Sequence, residues 1–233
     1  MNWKERTILL LGENGIDRLS RATVTVIGVG GVGAAAAEML VRSGVGRIVL
    51  IDNDCVSESN INRQLPALHS TVGQYKTDVL TRRLVDINPD LQIETLNEYV
   101  TEENMDRIGH PSFVIDAIDT LSPKIALIQY CLREHIPMVS SMGAGAKVDV
   151  TSVRIDDISK TRECPLAHML RKRLHKLGIK EGFKAVYSIE KPIESAVVLE
   201  ESRNKKSQVG TISYLPTVFG CACAQVAIEN IVK

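Results

Sequence analysis

Along residues 24–140, short apolar runs alternate with stretches whose apolar positions recur every three or four residues, the pattern of strands alternating with amphipathic helices. Val24, Val26 and Ile27 predict a first strand, the alanine-rich run 34–42 a helix, and residues 47–51 a second strand. Val72, Val79, Leu80, Leu84 and Ile87 stand at helical separations in a predicted helix 71–87, which Asn88-Pro89 ends. Strand 92–96, short helix 101–108, strand 113–116, helix 124–134 and strand 137–140 continue the alternation. Residues 3–20 predict a short helix followed by a loop, and residues 55–69 a long polar connection. The pattern implies an α/β fold with a mainly parallel twisted sheet and helices on both faces.

Beyond Gly145 the pattern changes to a β-containing extension. Segments 148–158 and 184–190 read as strands flanking a helix 165–177, and 195–199 as a further strand. The run EESRNKKSQ, 200–208, is polar and predicts a mobile loop. The last helix, 216–232, has no charge from 218 to 228, which predicts burial all round, in the core or at a subunit contact. It is short and contains Gln225 and Glu229, so no membrane span is expected. The expectation is one domain over residues 1–233, with a nucleotide-binding half at about 1–145 and a substrate-side extension at about 146–233.

Composition narrows the partners. Twenty-eight basic and twenty-eight acidic residues leave zero formal charge, so any polyanion must be held by a local patch. Five cysteines, an odd number without regular spacing, together with a polar start at residues 1–6, predict a cytoplasmic protein. There is no CxxC pair and no zinc is expected. Cys221 and Cys223 read as two buried structural thiols, and Cys55 and Cys131 as parts of core elements.

The chemistry starts at Gly28-x-Gly30-Gly31-x-Gly33, between the first strand and helix, where glycine backbone and helix N-terminus suit a phosphate. Asp52 follows about twenty residues later, at a second strand end, where a carboxylate can bind a ribose. This is the Rossmann-like arrangement. Around it stand Asp54 with Asn60, Asn62, Arg63 and Gln64, then Lys76, then Asp116-x-x-Asp119. Singly, Arg63 or Lys76 reads as a solvated charge, and Asp116 or Asp119 as a helix cap. Together they supply the charge that adenylation by ATP needs.

At these residues the chain resembles the ubiquitin-activating-enzyme-like superfamily, which includes ThiF, MoeB and HesA. The motifs are Gly28 to Gly33, DNDCVSESNINRQ from Asp52, Lys76, and DAID ending at Asp119. The resemblance implies that ATP is bound by Gly28, Gly30, Gly31, Gly33, Asp52, Asp54, Asn60, Arg63, Gln64 and Lys76. It further implies that Arg63, Lys76 and Asp119 are catalytic and that Asp119 holds Mg2+. Arg6, in ERTILLLG, matches an N-terminal arginine that reaches a neighbouring subunit's phosphates, which implies a homodimer.

Segments 140–179, 184–192 and 210–220 resemble the tRNA threonylcarbamoyladenosine dehydratase branch. Cys164 departs from the aspartate expected before Pro-Leu-Ala. The branch implies cyclisation of the threonylcarbamoyl group through an acyl-adenylate, on a tRNA carrying threonylcarbamoyladenosine. Arg162, Arg171, Lys172, Arg173 and Lys176 are then candidate tRNA contacts, with Leu166, Leu170, Leu174 and Leu177 as a buried stripe. His168 and His175 read as surface or capping residues. The branch also admits an alkali-metal ion near the Gly143 to Ala146 turn and a cysteine-desulfurase sulfur-transfer partner. Three alternatives stay open: a nicotinamide dehydrogenase, an adenylyltransferase for the C-terminal glycine of a sulfur-carrier protein, and a nucleotide-binding module without turnover.

Overall fold

The computed structural model describes residues 3–199 and 207–233. In chain order the elements are α1 (Glu5–Arg21), β1 (Thr23–Ile27), α2 (Gly31–Ser43), β2 (Arg47–Ile51), α3 (Lys76–Ile87), β3 (Gln92–Leu96), β4 (Phe113–Asp116), α4 (Leu121–Arg133) and β5 (Met138–Ser141). They continue with β6 (Val153–Asp157), α5 (Pro165–Lys176), β7 (Lys184–Ser188), β8 (Val197–Leu199), β9 (Ser207–Val209) and α6 (Tyr214–Ile231), with short 3-10 turns between. One seven-stranded sheet runs β3-β2-β1-β4-β5-β7-β6. Every pair is parallel except β6 with β7.

The strand order reverses between β1 and β4. From β1 the chain steps outward through β2 to β3, then returns to the other side of β1, which opens a crevice at the carboxyl ends of β1 and β4. Ile27 is level with Ile51 on one side and Asp116 on the other, so Gly28, Asp52 and Ala117 enter the same edge. One face of the sheet is covered by apolar residues of α1, α2, α3 and α6, among them Leu19, Leu40, Leu80 and Phe219. The other face is covered by α4 and α5 through residues such as Leu127, Ile128, Leu170 and Leu174. The β8–β9 hairpin stands apart from this sheet.

Several expectations need correction. Residues 3–20 do not end in a loop: α1 continues to Arg21, broken only at Gly12, where φ 73° and ψ 167° redirect the helix for one residue. α3 begins at Lys76, and Val72 lies before it in a turn, 42% exposed. Within the single chain α6 is buried on one side only. Leu215, Phe219, Cys223, Ala224 and Ala227 face the core, where Gly220 brings the helix onto α2, while Cys221 and Gln225 are exposed. Two residues apart on a helix differ by about 200° in direction, so of Cys221 and Cys223 only the second is buried. Cys55 is exposed, in an isolated bridge to Tyr75. Cys131 is buried, and burial pushes its thiol up to about 12. Of the run 200–208, residues 200–206 lie outside the described residues, whereas Ser207 and Gln208 belong to β9.

No helix among the described residues is long and apolar enough to cross a membrane.

Candidate nucleotide crevice

The four glycines between β1 and α2 have different tasks. Gly28 has φ 87°, and a Cβ there would lie 2.7 Å from the Ala117 carbonyl oxygen. A Cβ on Gly33 would come within 1.8 Å of the Gly28 carbonyl oxygen, and one on Gly31 within 2.9 Å of the Arg63 carbonyl oxygen. These three permit the turn and the close packing around it. At Gly30 the nearest atom is Gln64 Nε2 at 3.8 Å, so Gly30 faces the open crevice. The first N–H groups of α2 have no intrahelical acceptor and point the same way.

Asp52 braces this turn. Its Oδ2 accepts from the Val29 N–H at 2.6 Å and its Oδ1 from the Asp54 N–H at 2.8 Å. Burial raises the Asp52 pKa, partly offset by the nearby Lys76 charge and those two backbone donors. Lys76, only 5% exposed, donates to Asp54 Oδ2 at 2.8 Å. The ammonium is thus buried, while its carboxylate partner lies open at 60% side-chain exposure. Incoming phosphate oxygens can take over the contact that Asp54 makes.

The loop after β2 holds itself together. Asn60 Oδ1 accepts from the Ser57 N–H at 3.1 Å. Arg63 donates to the Ser59 carbonyl at 2.7 Å and to Asn62 Oδ1 at 2.8 Å. Asn62 Nδ2 donates to the Thr211 carbonyl at 2.9 Å, tying this loop to the segment before α6. Gln64 Oε1 is buried without a hydrogen-bond partner, beside Gly30.

Asp116 and Asp119 separate in role. Asp116 is fully buried: Oδ1 accepts from the Ile118 N–H at 3.1 Å, and Oδ2 accepts from Lys124 Nζ and from Ser140 Oγ, each at 2.6 Å. It is a strut inside the protein. Asp119 is exposed in the turn between β4 and α4, at the crevice edge. Sequence reasoning missed Lys124 and Ser140; the one signal was a lysine beside the apolar run 125–128, eight residues past Asp116.

Arg6 is exposed in the first turn of α1. Lys4, two residues earlier, packs against Gly44 just before the amino end of β2. Arg6 therefore stands at the opposite edge of the sheet from its own crevice.

On α5, Lys172, Arg173, His175 and Lys176 are exposed, and so is Arg162 before it. Ala167, Leu170 and Leu174 form the buried stripe, whereas Leu177 is 50% exposed because the helix has ended at Lys176. Arg171 is half-buried and donates to the Thr161 carbonyl at 2.7 Å and to its hydroxyl, so it braces the loop before the helix. Lys147, also missed, is 2% exposed and donates to the carbonyls of Ser188 at 2.8 Å and Glu163 at 3.2 Å. Burial lowers its pKa, countered by Cys164, Glu190 and Glu163. Its ammonium, next to the Gly143 to Ala146 turn, thus takes those two carbonyl oxygens.

The model of the ThiF family matches residues 4–233. A tRNA threonylcarbamoyladenosine dehydratase of Bacillus subtilis is 42% identical over 98% of this chain and 94% of its own length. The Escherichia coli dehydratase is 43% identical over 74% of this chain and 66% of that protein. Among solved structures, E. coli tRNA N6-threonylcarbamoyladenosine dehydratase, TcdA, in complex with ATP superposes with a TM-score of 0.90 at 35% identity, covering 97% of this chain and 92% of that one. The same enzyme in complex with AMP gives 0.88 at 36% identity, over 97% and 92%.

Proposed function

The chain belongs to the ThiF family, and we propose that its crevice carries out the ATP-dependent dehydration of threonylcarbamoyladenosine next to the anticodon of tRNA. It is an ATP-dependent tRNA threonylcarbamoyladenosine dehydratase. The observation that carries this reading is the extent of the likeness: it runs over 98% of the chain, through the extension as well as the glycine turn. A sulfur-carrier adenylyltransferase is not favoured.

The reaction uses the crevice in two steps. The threonyl carboxylate attacks the α-phosphorus of ATP, a P–O bond forms, and the bond to pyrophosphate breaks. The carbamoyl group then attacks the activated acyl carbon, closes the ring and expels AMP, so water is lost from the nucleoside and ATP becomes AMP and pyrophosphate. No covalent link to the protein is needed. Asp52 receives the ribose, Gly30 admits the phosphates to the start of α2, and Arg63, Asn60 and Lys76 face them with charge and hydrogen bonds. Magnesium bound by the exposed Asp119 and phosphate oxygens would neutralise charge on the leaving group, a donor set that suits that ion. Preorganised groups of this kind act most strongly on the charge that develops as pyrophosphate leaves.

Arg6, on the far edge from its own crevice, is suited to a second copy of the chain, and Leu9 and Leu10 beside it are 82% and 81% exposed, which supports a homodimer. Arg162, Lys172, Arg173 and Lys176 supply the local basic patch that a chain of zero net charge needs for tRNA. Free thiols fit a cytoplasmic setting. A sulfur-transfer partner of the cysteine-desulfurase kind rests on the family resemblance alone. The test is mass spectrometry of tRNA nucleosides from cells lacking the protein. Loss of the cyclised form with accumulation of open threonylcarbamoyladenosine, reversed by the gene, is expected. An unchanged cyclised form would overturn the assignment.

A further inference from the structure

A cavity of about 540 Å3 opens at the start of α5, walled by Arg162, Cys164, Pro165, His168, Met169 and Arg171. Its place in the fold follows from contacts. Cys164 lies 3.9 Å from where a Gly143 Cβ would be, just past the end of β5, and Lys147 ties the Glu163 and Ser188 carbonyls together at the end of β7. The cavity is therefore on the same carboxyl edge as the nucleotide crevice. From β1 to β7 is three strand steps, roughly 14 Å at about 4.8 Å per step.

We propose that this cavity receives the base of the tRNA nucleotide adjoining the reacting adenosine. The inference rests on the dehydratase reading, which places the threonylcarbamoyl carboxylate at the α-phosphate and hence its adenosine in the crevice. A neighbouring nucleotide must then lie along the same edge. Single-stranded RNA is recognised by unstacking its bases and laying them on flat or apolar side chains, with histidine and arginine among the usual platforms. His168 and Met169 are both exposed on the first turns of α5, and Pro165 continues the apolar wall. Arg162 is exposed at the rim and suits the phosphate of that nucleotide. Arg171 is held by Thr161 and shapes the wall. Glu163 also lines the cavity, but its carbonyl is taken by Lys147, which fixes the loop beside it.

The test uses the full-length protein and a short threonylcarbamoylated anticodon stem-loop, with an abasic nucleotide placed on one side or the other of the modified adenosine. Wild type should lose roughly tenfold in KM for the stem-loop at one of the two abasic positions, the scale of one lost base stack. His168→Ala and Met169→Ala should lose about as much on the intact stem-loop and little more on the abasic one, while ATP affinity is kept. Losses that multiply, or variants that match wild type on the intact stem-loop, would overturn the subsite. Failure of the wild type to cyclise the intact stem-loop with ATP would overturn the dehydratase reading itself.

Discussion

Lys124 Nζ donates to Asp116 Oδ2 at 2.6 Å with both side chains fully buried, and Ser140 Oγ donates to the same oxygen at 2.6 Å. The pair joins α4 to the ends of β4 and β5 and so holds the turn that carries Asp119. Lys124→Met leaves a buried carboxylate without its cation, and stability should fall by about 3–5 kcal/mol. Adding Asp116→Asn should recover part of that loss. Urea unfolding measures both, and a cost below about 1 kcal/mol for the single variant would show that the buried pair does not hold this turn.

The glycines offer a contrast between binding and folding. Gly30→Ala meets nothing closer than Gln64 Nε2 at 3.8 Å, so it should melt like wild type yet bind ATP more weakly, its methyl standing where phosphate enters. Gly33→Ala would meet the Gly28 carbonyl oxygen at 1.8 Å and should be strongly destabilised even without ligand. Melting curves with and without ATP separate the two outcomes.

Much of this was legible in the sequence because its signals are local. The strand ends, the glycine turn and Asp52 follow from patterns within about thirty residues, and the structure places them at one edge of the sheet. What escaped depends on distant partners. Little near them in the chain marks Lys124 or Lys147; their tasks show only once Asp116 in one case, and two carbonyl oxygens in the other, are seen around them. The uncharged run in α6 carries no polar contrast from which a buried side could be chosen, so the close approach of Gly220 to α2 was invisible. Gly12 kinks α1 without ending it because helical hydrogen bonding resumes at the next residues.

Acid stability should depend on Glu38, which accepts from Arg83 Nε at 2.6 Å and pairs with Arg42 at 2.9 Å, linking α2 to α3. Burial opposes ionisation of Glu38, but hydrogen bonds and charge from Arg83 and Arg42 outweigh it and hold its pKa below the ordinary value. A carboxyl with a lowered folded pKa gives stability that is whole above about pH 4.3 and is lost as pH falls through the folded value. Glu38→Gln should therefore flatten the acid side of the stability profile. Parallel profiles for wild type and variant in urea, from about pH 6 to about pH 3, would exclude that contribution.

If Arg6 completes a partner's site, two inactive variants should rescue each other. Mixed after unfolding and refolding, Arg6→Ala and Asp119→Ala chains give dimers in which one site has both defects and the other neither. With random pairing about a quarter of wild-type activity should return. No recovery in mixtures shown by sedimentation to be dimeric would place Arg6 outside the neighbouring site.

In the proposed reaction, adenylation of the threonyl carboxylate draws on charge supplied by Asp119, Arg63 and Lys76. The most direct measurement is single-turnover reaction of threonylcarbamoylated tRNA with saturating ATP and magnesium, following cyclised nucleoside and AMP together. Wild type should form one AMP for each cyclised adenosine, and Asp119→Ala or Arg63→Ala should slow both by roughly a hundredfold, with a smaller change in ATP affinity. Cyclisation by Asp119→Ala at the wild-type rate, or cyclised product without AMP, would contradict the account.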